Sequence, residues 1–159
     1  WLCEAVGERG LVDAFDVQPG ALNATRDRLR VRGMETRARL HLAGHQTMAE
    51  YVTEEVDGVV FNLGWLPGSP HETTTQASTT LQALRAACGL LKTGGLITVC
   101  IYPGHPEGAR ELEALLAWGA GLDSARYDVL VKQYINQKNA PPVLLAVRKK
   151  EDGKMTAEG

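Results

Sequence analysis

The last two apolar runs of this chain, residues 127–135 and 143–148, are separated by little more than the polar stretch NQKNAPP (136–142). Two strands joined by so short a link must run antiparallel, because a parallel crossover needs a dozen or more residues. Upstream the pattern is the opposite, with apolar strand-like runs alternating with helical stretches. Residues 11–16 (LVDAFD) read as a strand. Pro19, at the first helical position, opens a helix through Val31 that Gly33 stops. A strand follows at 38–42, a short helix at 47–53 and a strand at 57–62. A helix at 75–91 places Leu81, Leu84, Cys88 and Leu91 on one face and is ended by Lys92 and Gly94. A buried strand at 95–102 then leads to a helix opened by Pro106 and Glu107, with Leu112, Leu115, Leu116 and Leu122 inward. The expectation is an α/β fold: a doubly wound, mostly parallel sheet that ends in an antiparallel strand pair.

With 159 residues and 44% hydrophobic content, the chain suits one domain with a real core, over residues 1–150 and followed by a polar tail at 151–159. A net charge of −2 creates no global basic field for nucleic acid or anionic membrane. No apolar run approaches a membrane span. Cys3, Cys88 and Cys100 show no metal-like spacing, and two of them lie in apolar segments. They read as buried free thiols in a reducing cytosol, so the expected location is cytoplasmic. The chain opens at Trp1 with what reads as the end of a helix, WLCEAV, stopped by Gly7 and Gly10.

The residues that can carry chemistry lie at strand ends, where open α/β sheets place their ligands. FNLGWLPG (61–68) follows the apolar run ending at Phe61. Asn62 can accept a hydrogen bond through its side chain and Leu63 through its carbonyl. Gly64 permits close approach, Trp65 offers a stacking face and Pro67 stiffens the turn; an ordinary strand-ending turn uses the same pieces. Asp16 closes the first strand, and Gln18 leads the next helix. A carboxylate there can take both hydroxyls of a ribose. His45, in LAGHQTM, follows the next strand, where contacts to an adenine edge are usually built. His105, in YPGHPEG (102–108), sits at a helix N-terminus, which disfavours positive charge and leaves a ring able to accept a proton. It is equally suited to cap that helix. Asn136, Gln137 and Asn139 gather three amides before Pro141 and Pro142, a set suited to base edges. Arg26, Arg28, Arg30, Arg32, Arg37 and Arg39 form a basic run that reads either as a phosphate contact or as a solvated helix face.

Taken in order, FDVQ (15–18), FNLGWLPG, the TxxxTTL stretch from Thr75 to Leu81, YPGHPEG and YINQKNAPP resemble one family of class I S-adenosylmethionine-dependent methyltransferases, long labelled putative rRNA methylase. The resemblance spans nearly the whole chain. It implies a Rossmann-like methyltransferase fold, S-adenosylmethionine as cofactor, tRNA as the RNA substrate and methylation of the aminomethyl group of 5-aminomethyl-2-thiouridine at the wobble position. By position it makes Asp16, Gln18, His45, Asn62 and Gly64 cofactor contacts. Asn62, Leu63, Trp65 and His105 become the catalytic set, and Trp65, Pro67, Asn136, Gln137 and Asn139 the substrate contacts. It implies no membrane and leaves room for a homodimer.

There are departures. Trp65 stands where tyrosine is common in the family, and Ser69-Pro70-His71 where Gly-Asp is usual. The family's first strand and glycine-rich cofactor loop belong before Trp1, so the expectation is a longer protein. Other readings stay open: an rRNA methyltransferase, a non-catalytic RNA-binding module, or a nicotinamide-dependent oxidoreductase, which Asp16 would also serve. The antiparallel final pair and the lack of a Tyr-x-x-x-Lys pair speak against the last.

Overall fold

The structure, a computed structural model, describes residues 1–63 and 77–151, in two compact units divided after Val52. The first unit contains α1 (Leu2–Ala5), β1 (Val12–Asp16), α2 (Pro19–Val31), β2 (Ala38–Leu42) and α3 (Met48–Tyr51). β1 and β2 pair in parallel, with Asp16 opposite Leu42. Pro19 sits in the first turn of α2, and Gly33 just past its end has φ +64°, a backbone state that glycine adopts without steric cost. Leu22, Met48, Val52 and Cys3 are buried. On one face of the strand pair, Phe15 stacks on His41 at 4.6 Å between ring centroids, and Tyr51 closes on both rings.

The second unit contains β3 (Val56–Asn62), α4 (Ala77–Leu90), β4 (Leu91–Ile101), α5 (Pro106–Ala120), β5 (Tyr127–Lys132) and β6 (Val143–Lys149). Its sheet has the order β3-β4-β6-β5, with β3 and β4 parallel and β6 antiparallel to both β4 and β5. The antiparallel end expected from the short final link is therefore present. The core lies on β4 and β6, where Ile97, Val99, Ile101, Leu145 and Val147 are wholly buried, with Leu84 and Leu115 packed from α4 and α5. Each such side chain contributes roughly 1.5–3 kcal/mol through burial.

Three details differ from the pattern read in the sequence. β4 starts at Leu91, directly after α4, rather than at Gly95. Its register against β3 breaks between Val56 and Gly58, and Gly94, at φ +79°, lies in the extra chain. Lys92 lies in this stretch, its ammonium reaching Asp57 at 2.9 Å, so it does not end the helix. β5 ends at Lys132, so residues 133–135 join the loop. The buried line of α5 runs through Gly108, Glu111, Leu115 and Gly119, whereas Leu112, Leu116 and Leu122 are only half-buried. Among the described residues no helix is long and apolar enough to cross a membrane.

Glu111 is thus a buried acid between helices, 5% exposed, and Thr80 of α4, 0% exposed, donates to its Oε1 at 2.7 Å. Burial pushes its pKa up, against the opposing pull of the Thr80 hydrogen bond and nearby His105. The folded state therefore holds this proton more tightly than the unfolded chain. Its stabilising effect is complete below the ordinary carboxylate pKa and is lost as pH rises through the raised folded value. Glu111→Gln keeps an acceptor for Thr80 and removes the titration. Denaturation midpoints measured from about pH 4 to pH 8 should fall less steeply with rising pH in the variant. Parallel pH profiles would show that Glu111 is not the group titrating.

Candidate active-site residues at the C-terminal strand ends

In the first unit, Asp16 closes β1 and the turn after β2 brings His45, so both lie at the C-terminal edge of the same parallel pair. The chain turns sharply after Asp16 because its Oδ1 accepts the Gln18 backbone N–H at 2.8 Å, while its carbonyl accepts the Ala43 N–H. Oδ2 has no hydrogen-bond partner among the described residues. A carboxylate can accept several bonds at once, so Asp16 keeps the capacity to receive a vicinal pair of hydroxyls. Gln18 caps α2 by position alone, without a side-chain cap bond. His45 begins a single 3-10 turn, and burial lowers its pKa, which favours a neutral ring.

The basic run is largely compensated by acids. Arg39 grips Asp13 through two bonds of 2.7 Å, and His41 meets the same carboxylate at 2.7 Å. Burial tends to raise the Asp13 pKa, but Arg39 and His41 overcome it and hold the carboxylate low. Arg30 pairs with Glu35, Arg32 with Glu4 and Arg37 with Glu8. These partners supply the anions that a crowded arginine helix needs, which favours the solvated-face reading over phosphate contact.

In the second unit, Asn62 ends β3 and is exposed, opposite Cys100 of β4. Leu63 turns its side chain into the core and donates its N–H to the Cys100 carbonyl at 3.1 Å. Any backbone hydrogen bond from Leu63 to a ligand therefore falls to its carbonyl. Tyr102, one residue past β4, donates its hydroxyl to Asn62 Oδ1 at 3.0 Å. The sequence pattern makes this tyrosine the last residue of the strand at 95–102 and the start of YPGHPEG, with no role of its own, whereas β4 ends at Ile101. The signal was available in its place one residue beyond the strand that pairs with the Asn62 strand. A hydrogen bond involving Cys100, then partial burial and the Cys100 charge, raise the Tyr102 pKa, so the phenol stays a neutral donor. The amide oxygen of Asn62 keeps its second lone pair, and the Tyr102 oxygen has acceptor capacity of its own.

His105 is the N-cap of α5, where Nδ1 accepts the Gly108 N–H at 3.0 Å. In the neutral ring the hydrogen then sits on Nε2, so this conformation leaves no ring nitrogen open to accept a proton. Gly108 is required by contact: a Cβ there would strike the Tyr102 carbonyl and crowd the His105 ring. YPGHPEG is thus a pinned turn that seats α5 and presents Tyr102. Asn136, Gln137 and Asn139 are exposed in the loop between β5 and β6. Gly64, Trp65 and Pro67, together with the beginning of the TxxxTTL stretch, lie outside the described residues. The end of that stretch explains itself, since Thr80 binds Glu111.

Residues 12–148 match the model of the family described as "Putative rRNA methylase". The chain belongs to this family. It is 39% identical over 154 residues to the chloroplastic tRNA (mnm(5)s(2)U34)-methyltransferase of Arabidopsis thaliana, covering 94% of this chain and 56% of that protein. The chain thus spans little more than half the length of that relative. Among solved structures, a "putative rRNA-methylase" from Clostridium thermocellum superposes with a TM-score of 0.90 at 41% identity, over 93% of this chain and 80% of that one. A "putative methyltransferase" from Streptococcus mutans, solved in complex with SAH, gives 0.81 at 38% identity, over 87% and 76%. The fold is the class I methyltransferase architecture expected from the sequence.

Replacing His105 with alanine removes the cap of α5 and should cost about 0.5–2 kcal/mol. His105→Asn, which can cap, should recover most of it. Chemical denaturation reads both variants, and equal stability of all three proteins would show that the ring does not hold the helix.

Proposed function

We propose that this protein is an S-adenosylmethionine-dependent RNA N-methyltransferase whose acceptor is the aminomethyl group of 5-aminomethyl-2-thiouridine at the tRNA wobble position. The observation that carries the reading is the Asn62–Tyr102 pair at adjacent strand ends in a chain of this family. Family membership supports methyl transfer to RNA, and the Arabidopsis relative supports the particular nucleoside. The free thiols of Cys3, Cys88 and Cys100 are consistent with the reducing cytoplasm, although that relative's name places it in the chloroplast.

When bound, S-adenosylmethionine supplies a methyl group already activated on a sulfonium, so alignment and exclusion of water are the protein's main tasks. In the first unit, Asp16 would hold the ribose hydroxyls with the carboxylate capacity left after its bond to Gln18, and Gln18 and the neutral His45 ring would help to hold the nucleoside, His45 toward the adenine edge. In the second unit, the second lone pair of Asn62 Oδ1 receives one N–H of the amine and the Leu63 carbonyl a further one, which aims the nitrogen lone pair. Tyr102 fixes the Asn62 amide so that its oxygen, not its NH2, faces the amine. Gly64 allows close approach, while Trp65 and Pro67 pack on the uracil. Asn136, Gln137 and Asn139 read neighbouring base edges. With His105 Nδ1 engaged in capping, the proton released from the methylated amine passes to solvent.

Two substitutions separate the roles. Asp16→Ala should weaken S-adenosylhomocysteine binding by about 1.5–3 kcal/mol for each charged hydrogen bond lost, read by calorimetry on the intact protein. Asn62→Ala should leave that binding nearly unchanged. It should lower methyl incorporation into tRNA lacking the terminal modification by on the order of a hundredfold. Near-normal turnover of Asn62→Ala, or loss of activity only in proportion to cofactor binding, would make the strand-end turn structural.

A further inference from the structure

β5 runs antiparallel to β6, and β6 antiparallel to β4, so β5 points the same way as β3 and β4. The loop at 133–142 consequently leaves the sheet at the edge that carries Asn62 and Tyr102. Val143, which follows the loop, pairs with Ile101, the residue before Tyr102. Two large apolar side chains stand in solvent on this loop, Tyr134 at 57% exposure and Ile135 at 90%. Neither side chain adds to the core, and side by side they leave an apolar spot open to a partner.

Along the chain the charge is one-sided. From Val129 to Lys150 there is no aspartate or glutamate, while Lys132 and Lys138 flank the two apolar residues, in a chain whose net charge is −2. Next to them are the amides of Asn136, Gln137 and Asn139. The exit of the loop is stiff: Ala140 is the one non-glycine residue with positive φ among the described residues, at +43°, and Pro141 and Pro142 follow it. A rigid base thus supports an aromatic ring, an aliphatic wedge, two lysines that pair with no acid among the described residues, and several amides. Unpaired RNA is recognised by this set: stacking faces for splayed bases, amides for their edges and ammonium groups for the phosphates.

We propose that the tip of the β5–β6 hairpin is a strand-gripping element, in which Tyr134 and Ile135 stack on a nucleotide flanking the target and Lys132 and Lys138 hold its phosphates. The occupant is a single-stranded RNA segment, favoured by the positive charge of Lys132 and Lys138, which meet no acid among the described residues. This rests on the reading that the substrate is RNA, and assigns the grip on the strand to residues other than those that hold the amine.

The test uses the intact protein and a fluorescein-labelled, uridine-containing single-stranded oligoribonucleotide, with affinity followed by fluorescence anisotropy. Tyr134→Ala combined with Ile135→Ser should weaken binding roughly tenfold or more, and Tyr134→Phe alone should bind as the wild type does. Lys132→Ser with Lys138→Ser should reduce the slope of log affinity against log salt by about 1.4. Melting temperatures of these surface variants should match the wild type. Unchanged affinity in the first double variant together with an unchanged salt slope in the second overturns the proposal, as does a wild-type protein that binds no RNA. A dimer that dissociates in the Tyr134/Ile135 variant, with RNA affinity unaltered, also overturns it and makes the tip a contact between two copies. RNA binding that depends on the loop, without methyl transfer by the wild type, would sink the proposed activity and leave this inference standing. Methyl transfer indifferent to the loop would do the reverse.

Discussion

The second unit is organised by the double pairing of β4. The strand bonds to β3 on one side and β6 on the other, and its inward residues Ile97, Val99 and Ile101 are fully buried. A central strand has no freedom to slip, because a one-residue shift would turn that whole set outward. With the register fixed, Asn62 must lie opposite Cys100, and the first residue past the strand must lie beside Asn62. The Tyr102–Asn62 bond follows from strand alignment plus one turn, and the turn is held by the His105 cap and by the lack of a side chain at Gly108.

Much of this was legible in the sequence, for a physical reason. The seven residues NQKNAPP are too few for a crossover, so the antiparallel end of the sheet follows from chain length alone. Pro19, Gly33 and Pro106 mark helix ends because their backbone restrictions are local. What escaped was set by tertiary context. Glu111 lies on the buried stripe of α5, where hydropathy favours the neighbouring Leu112, and the Thr80 hydroxyl facing it, with His105 nearby, makes an acid tolerable there. β4 extends back to Leu91 because its pairing with Val56 resumes across a register break, and such a break carries no local signature beyond Gly94. Tyr102 was passed over because its partner is forty residues away in sequence.

The candidate site was legible unevenly for the same reason. Asp16 and Asn62 announce themselves as polar residues closing apolar strands. The arginine run was ambiguous because charge compensation is non-local: Glu4, Glu8 and Asp13 come from elsewhere in the first unit to meet Arg32, Arg37 and Arg39. For His105, both capping and chemistry fit a histidine at a helix start, and the 3.0 Å bond to the Gly108 N–H shows the capping role.

The rigid exit of the β5–β6 link has a consequence for how such a scaffold diversifies. Ala140, Pro141 and Pro142 hold the returning strand in place, and the antiparallel ladder holds the departing one. A residue inserted between Asn136 and Asn139 would displace neither strand, only push the apex outward by at most about 3.5 Å. Length at that apex is thus a variable that evolution or an engineer can tune alone. Reach and target choice can drift there while the strand-end residues stay as they are.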